Sequence, residues 1–338
     1  MLDPVCNPAC SPIVHNVILG PFSARRAAII YNPVARGLSR QMHSLQSAVN
    51  LLGQSGPEVR LIATTAPGSA GPQTRQQIQS GCDLVIAAGG DGTINEVIDG
   101  MLHTEVPLAI LPGGTANVLA RELRLARHIA KAASQSPRLV PCRIATGSVK
   151  LSGSAPRSFV CMAGAGLDAE IVSRLNLDLK AATGKFAYYV GGFSQVFRPL
   201  PEFQVSVDGQ NFQASFALVS RVRNYGGDLA IARGASLLRP DFEVVLFQGK
   251  VSARYLGYLA GVAAGQVHRM KGCTVVHGRS VIFQPPSEEG VYVQVDGELA
   301  GKVPAAIEIV PDALTLLVPP EYLAREEPRV ASISSAYA

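Results

Sequence analysis

Charge, histidine clusters and long apolar runs are all scarce in this chain of 338 residues. Asp, Glu, Lys and Arg together make up only 16% of it against 47% apolar residues, a balance that excludes a mainly disordered protein; tryptophan is absent. The 30 Lys and Arg exceed the 25 Asp and Glu by a formal charge of +5, but no basic run is interleaved with aromatics, so nucleic acid is not an expected partner. Weak attraction to anionic lipid headgroups is all that such a charge supports. The six cysteines (Cys6, Cys10, Cys82, Cys142, Cys161 and Cys273) supply no second pair to complete the Cys6/Cys10 spacing into a zinc site. The six histidines are dispersed and Gly-x-Ser-x-Gly does not occur, which leaves a hydrolase without an anchor. The first residues, "MLDPVCNPACSPIVHNVILGPFS", lack a basic start and are broken by prolines, unlike a secretion signal. "YLGYLAGVAAGQVH", from Tyr255, falls short of the ~20 apolar residues a bilayer crossing needs. A cytoplasmic protein with reduced thiols is the expectation.

What is present is a change of texture along the chain. "AAIIYNP" (27–33), "VRLIATT" (59–65), "LVIAAGG" (84–90) and "PLAILPGG" (107–114) are short apolar runs ending in loop-forming residues. Helical spacing lies between them, as at Leu45, Val49 and Leu52, at Ile94, Val97, Ile98 and Met101, and at Val118, Leu119, Leu123 and Leu125. Strand alternating with helix predicts a doubly wound parallel sheet. Past residue 145 period-2 runs take over: "FQVSVDGQNFQASFALVS" (203–220) with the hairpin signal Asp208-Gly209, then "FEVVLF" (242–247), "SVIFQ" (280–284), "VYVQVDGE" (291–298), "AAIEIV" (305–310) and "ALTLLVP" (313–319). Helical candidates at 168–176, 183–197 and 252–264 interrupt them. The expected organisation is an N-terminal arm (1–24), an α/β domain (25–144), a mainly antiparallel β domain (145–322) whose last segment can pack back on the first, and a loose polar tail (323–338).

In an open parallel sheet ligands bind beyond the carboxyl ends of the strands, where Asn32, Thr64, Gly89 to Thr93 and Gly113 to Asn117 all fall. Gly89, Gly90 and Gly92 remove β-carbons that would keep a phosphate from backbone N–H groups, and a helix beginning near Thr93 adds its positive end. "LPGGTANVLARE" repeats the device with Gly113, Gly114 and Thr115, so two glycine loops point to a polyphosphate. Glycines at strand-to-helix turns also serve packing. Asp91 beside a phosphate cradle calls for Mg²⁺ or a part in transfer, with a helix N-cap as the plain alternative.

"GGDGTINEV" followed by "LPGGTANVLARE" resembles the diacylglycerol kinase catalytic domain shared by bacterial lipid kinases, sphingosine kinases and ceramide kinases. The resemblance continues in "IIYNPVARG", "AGAGLDAEIV" (163–172), "RNYGGDLAIARGASL" (223–237) and "VQVDGE" (293–298), and spans about residues 25 to 320. It implies a phosphofructokinase- or NAD-kinase-like nucleotide-binding domain, an antiparallel β-sandwich domain, and ATP in the cleft between them. Asn32, Pro33, Arg36, Thr64, Gly89, Gly90, Asp91, Gly92, Thr93, Asn95, Gly114, Thr115 and Asn117 would hold ATP, Asp91 would serve the metal-bound triphosphate, and Glu298 would be the general base. Mg²⁺ and a membrane-derived lipid acceptor at a bilayer surface are implied with them, and a homodimer stays open. Apart from the resemblance, Asp296-Gly297-Glu298 reads as a turn ending a strand. Arg36 and Arg121 are candidate cations for the transfer.

The pattern also departs. "RIATG" (143–147) puts Ala145 where the family often has an aspartate, and "LLRPDFE" (238–244) puts Arg239 and Pro240 where bacterial members hold a structural magnesium. "GAGLDA" (164–169) matches a dinucleotide fingerprint, but no acidic residue ends a following strand about 20 positions on. "TGKF" (183–186) fails as a P-loop. The competing readings are an NAD kinase, which shares the GGDG loop, and a nucleotide- or lipid-binding protein that has lost catalysis. Phe186, Tyr189, Phe193, Tyr255 and Tyr258 serve equally as lipid groove or as core.

Overall fold

The computed structural model describes residues 23–35, 38, 42–54, 56–167, 169, 200–226, 229–250, 254–286 and 290–336. The N-terminal arm up to residue 22, the expected helices at 168–176 and 183–197, Phe186, Tyr189, Phe193 and Arg36 lie outside the described residues, Ala169 apart.

The first half alternates as the apolar runs predict: β1 Arg26–Tyr31, α1 Met42–Gln54, β2 Glu58–Ala63, α2 Ala70–Gln79, β3 Leu84–Gly89, α3 Asp91–Met101, β4 Leu108–Pro112, α4 Val118–Glu122 and α5 Ile129–Gln135. The strands run parallel in the order β2-β1-β3-β4. β3 is buried along its whole length, because helices cover both faces of such a sheet and a continuous apolar run is what fits there. Strand order reverses direction between β1 and β3, and at that point the following loops diverge and leave a crevice. α3 buries Ile94, Val97, Ile98 and Met101, the stripe its spacing predicts.

The second half is antiparallel. β5 Val140–Leu151, β6 Arg157–Phe159, β7 Met162–Gly166, β8 Phe203–Val207, β9 Gln210–Ala214, β10 Phe216–Ser220, β11 Asn224–Tyr225, β12 Leu229–Ala230 and β13 Phe242–Phe247 precede α6 Arg254–Ala263. β14 Cys273–Gly278, β15 Ser280–Gln284, β16 Tyr292–Val295, β17 Glu298–Lys302, β18 Ala305–Val318 and α7 Pro320–Ala336 follow. One sheet runs β14-β13-β10-β7-β16-β17; the other continues the parallel strands through β18, β15, β8 and β9. The two sheets face each other across Phe159, Phe203, Phe242 and Phe283, with the Phe159 and Phe242 rings stacked at 5.6 Å. The architecture is therefore an α/β domain followed by a β-sandwich.

Two details depart from the sequence reading. "AAIEIV" and "ALTLLVP" are not two strands but one, β18, with an irregularity between Val310 and Leu314 that absorbs Pro311 and Asp312. It pairs with β5, which runs unbroken through residue 145, and Leu316 lies beside Leu108 of β4, so one sheet serves both halves. The rejection of "GAGLDA" as a dinucleotide fingerprint agrees with the structure, since it starts in β7, whose two neighbours both run antiparallel to it.

The second is the tail, which forms α7 instead of a loose end. Its polar residues mislead because they are used inside: Glu326 is fully buried and takes Arg325 (2.7 Å), Arg329 (3.2 Å) and Arg223 (3.3 Å). Tyr322 is buried too, its hydroxyl accepting the N–H of Leu237 at 3.1 Å. Tyr322→Phe would leave that buried N–H without an acceptor, and the expected cost is about 1–3 kcal/mol, measured from the urea unfolding midpoint. An unchanged midpoint would mean α7 contributes nothing to the fold through this bond.

The described cysteines Cys82, Cys142, Cys161 and Cys273 are free thiols. Among the described residues no helix is long and apolar enough to cross a membrane.

Candidate active site

The two glycine loops leave β3 and β4 side by side and touch backbone to backbone. A β-carbon on Gly114 would lie 2.5 Å from the Cα of Gly90, and one on Gly89 would strike Thr93 at 2.8 Å. Gly113 donates its N–H to the carbonyl of Gly89 at 2.7 Å. Close packing thus accounts for Gly89, Gly113 and Gly114 as well as any ligand does, and it fuses the loops into one rim.

Asp91 fastens that rim. It is the first residue of α3, yet its carboxylate caps α4: Oδ2 accepts the N–H of Asn117 at 2.9 Å and Oδ1 that of Val118 at 2.6 Å. Burial raises the Asp91 carboxyl above its usual range, opposed by these N–H groups and by Arg121. Asn117 is held in the left-handed conformation (φ 50) while its side chain closes the second loop, accepting from Gly114 N–H at 2.9 Å and donating to the Gly114 carbonyl at 2.7 Å. Glu96 repeats the Asp91 device on the other side of α3, accepting the N–H groups of Gly68 and Ala70 at the head of α2.

What this leaves toward the crevice is the first turn of α3. Its N–H groups at Gly92 and Thr93 have no carbonyl one turn earlier within the helix, so an anion is favoured there. Asn95, one turn on, is buried with Oδ1 unpartnered. Asn32 lies at the end of β1, its N–H bonded to Ala88 and its Oδ1 accepting from Val34; Pro33 is exposed beside it. Thr64 is tied to Tyr31 at the end of β2, and Thr115 is exposed on the second loop. The described members of the sequence-predicted set therefore lie at the ends of β1 to β4 and in the loops and helix starts that follow them, with Asn117 and Asp91 spent on building the rim.

Glu298 arrives from the other half of the chain. Asp296 (φ 47) and Gly297 (φ 82) form the turn between β16 and β17, the backbone pattern of the Asp208-Gly209 hairpin, and Glu298 is the residue after the turn. The turn and the carboxylate are thus both real features of "DGE". Asp296 anchors the turn: its carboxylate accepts the N–H groups of Met162 (2.8 Å), Cys161 (3.1 Å) and Val160 (3.2 Å). Burial pushes its carboxyl up to about 7 against the pull of those bonds, and the charge of Asp91 adds to the rise. So held, Glu298 places Oε1 2.9 Å from where a β-carbon of Gly92 would be. Gly92→Ala would push the carboxylate aside and set a β-carbon in the expected phosphate cradle; turnover is expected to fall roughly 10- to 100-fold and KM for the nucleotide to rise with it, both of which steady-state kinetics reads directly. The other Glu298 oxygen takes the guanidinium of Arg157 on β6. Sequence reasoning missed Arg157 because "SAPRSFV" carries no motif and its partner lies 141 residues away.

Around Asp241 the guanidinium of Arg239 takes both carboxylate oxygens, at 2.6 and 2.5 Å. Burial opposes ionisation of Asp241, but the neighbouring His277 and the hydrogen-bonded Arg239 outweigh it and hold the pKa low. Fully buried Arg221 takes the carbonyls of Leu237, Arg239 and Asp241. These arginines use the oxygens that a structural magnesium would need, so that ion does not fit this turn. Ala145 is buried and brings no charge to the cleft. Among the described residues no three His, Cys, Asp or Glu side chains are gathered to hold a metal. Tyr258 is core, its hydroxyl bonded to the carbonyl of Gln248 at 2.8 Å.

Residues 26–148 match the diacylglycerol kinase catalytic domain, and residues 161–318 match the YegS C-terminal NAD kinase beta sandwich-like domain. The chain is 30% identical over 287 residues to the diacylglycerol kinase of Bacillus subtilis (strain 168), covering 83% of this chain and 92% of that one. It is 30% identical over 293 residues to the diacylglycerol kinase of Staphylococcus carnosus (strain TM300), covering 83% and 91%. The crystal structure of a diacylglycerol kinase from Bacillus anthracis superposes with a TM-score of 0.68 at 24% identity, over 89% of this chain and 99% of that one.

Proposed function

The chain belongs to the diacylglycerol kinase family, and on that premise we propose that it transfers the γ-phosphate of ATP to a lipid hydroxyl, with diacylglycerol as acceptor and phosphatidic acid as product. The observation that carries the reading is the meeting of Glu298 with Gly92, a carboxylate from the β-sandwich set against the first turn of the helix that follows the first glycine loop. Phosphoryl transfer is mostly positioning and charge stabilisation, and it needs an acceptor for the hydroxyl proton within hydrogen-bond reach. Glu298 is half-exposed, so an incoming hydroxyl has access to it.

Gly92 and Thr93 are the proposed donors to the phosphates, with Asn32, Pro33, Thr64, Asn95 and Thr115 around the nucleotide. Asp91 and Asn117 are proposed to act by holding the rim. Magnesium would come with the triphosphate as part of the substrate and would supply neutralisation of phosphate charge. The acceptor lives in a bilayer, so the chain works at its surface; Leu299, next to Glu298, is an exposed apolar side chain on that route.

The test is Mg²⁺-dependent transfer of labelled γ-phosphate from ATP to mixed micelles of diacylglycerol, monoacylglycerol, sphingosine or ceramide, with NAD as soluble control. Labelled phosphatidic acid is the expected product. Label on NAD alone would move the chain to the neighbouring kinase chemistry, and bound ATP with no labelled acceptor would mark a catalytically impaired relative.

A further inference from the structure

Arg157 stands out because its guanidinium is placed in an ion pair at the surface. It sits on the three-residue β6, its side chain is 32% exposed, and it is paired with a carboxylate that is 54% exposed. Exposed ion pairs contribute little to stability, so the pairing does not explain why a guanidinium is brought here. The surroundings do. Glu298 touches Gly92 with one oxygen and Arg157 with the other, which puts the guanidinium within one side chain of the first turn of α3. Asp99, two turns along the same face of α3, lies close enough for its charge to act on both Arg157 and Glu298. Arg157 is therefore paired with Glu298 beside the first turn of α3, with Asp99 in electrostatic range of both.

That arrangement answers a difficulty in the reaction. A general base and a triphosphate are both anionic, yet they must converge on one hydroxyl oxygen, and they repel unless a cation stands between them. Arg121, whose charge acts on Asp91, belongs to α4 and the second loop, and Arg75 donates to the carbonyl of Asp99 further down α3. A guanidinium fork fits carboxylate and phosphoryl oxygens equally well, and the more highly charged phosphate competes for it.

We propose that Arg157 is a catalytic residue of this site: paired with Glu298 in the nucleotide-free chain, it turns to the oxygens of the transferring phosphoryl group when ATP binds. The proposal rests on the reading of Glu298 as base. In the step, the acceptor hydroxyl oxygen forms a bond to the γ-phosphorus as the bond from that phosphorus to the β–γ bridging oxygen breaks. The hydroxyl proton passes to Glu298, and the electron pair of the broken bond leaves with ADP. Arg157 exchanges no proton; it neutralises charge on the phosphoryl oxygens, and its departure from Glu298 opens the carboxylate to the hydroxyl.

The experiment compares Arg157→Ala, Arg157→Lys and Glu298→Gln in the full chain. Turnover is measured on diacylglycerol in mixed micelles, and binding of Mg-ADP and of a non-hydrolysable Mg-ATP analogue by calorimetry. For Arg157→Ala the expected results are a turnover loss of about 10²-fold, weaker binding of the ATP analogue with ADP binding unchanged, and partial recovery of turnover on adding guanidinium ions. Arg157→Lys should fall between. Glu298→Gln should show no guanidinium rescue. Wild-type turnover in Arg157→Ala, or equal losses for ADP and the ATP analogue, overturns the proposal. Full turnover in Glu298→Gln overturns the base and not Arg157, because the ADP/ATP split is read without turnover.

Discussion

Glu298→Gln is expected to lower turnover about 10²- to 10⁴-fold while leaving ATP affinity nearly intact. Glutamine preserves the size of the side chain and its oxygen toward Gly92, but it has no useful basicity at neutral pH. The fold should tolerate the change, since Glu298 is half-exposed and the turn before it is fixed by other atoms, the three N–H groups on Asp296. Lost turnover with an unchanged melting temperature and unchanged nucleotide binding would isolate a defect in the chemical step. Turnover within a few-fold of wild type would remove Glu298 as the base.

Asp91→Asn should damage the protein differently, because two backbone N–H groups converge on the Asp91 carboxylate. An amide satisfies one of them and turns its own N–H₂ toward the other, so a buried charge-assisted bond is replaced by an unmet donor at a cost of about 2–4 kcal/mol. The head of α4 and the loop locked by Asn117 would loosen together. The unfolding midpoint should fall, KM for ATP should rise, and excess Mg²⁺ should not restore it. Recovery at high Mg²⁺ with an unchanged midpoint would instead make Asp91 a metal-side residue first.

The two variants separate what each acid does. One is expected to spare the fold and stop the chemistry, the other to weaken the rim proposed to hold the nucleotide. Sequence motifs present both simply as acids in glycine-containing turns, and the difference lies in what faces them.

Features governed by residues close in sequence were legible beforehand. Apolar runs ending in loop-forming residues marked β1 to β4, the stripe from Ile94 to Met101 marked the buried face of α3, and Asp208-Gly209 marked its hairpin. The glycine rim, Glu298 after its turn and the family followed from motifs of the same local kind. Only tertiary structure decided the rest, because it depends on groups far apart in sequence whose pairing leaves no period to read. The Asp91 carboxylate chose the amides of α4, Arg157 reached Glu298 across 141 residues, and Arg239 took Asp241 in place of an ion. The polar tail became α7 because Glu326, beside Arg325 and Arg329 of the same helix, meets Arg223 only in the folded chain, where a buried charge so compensated no longer needs water.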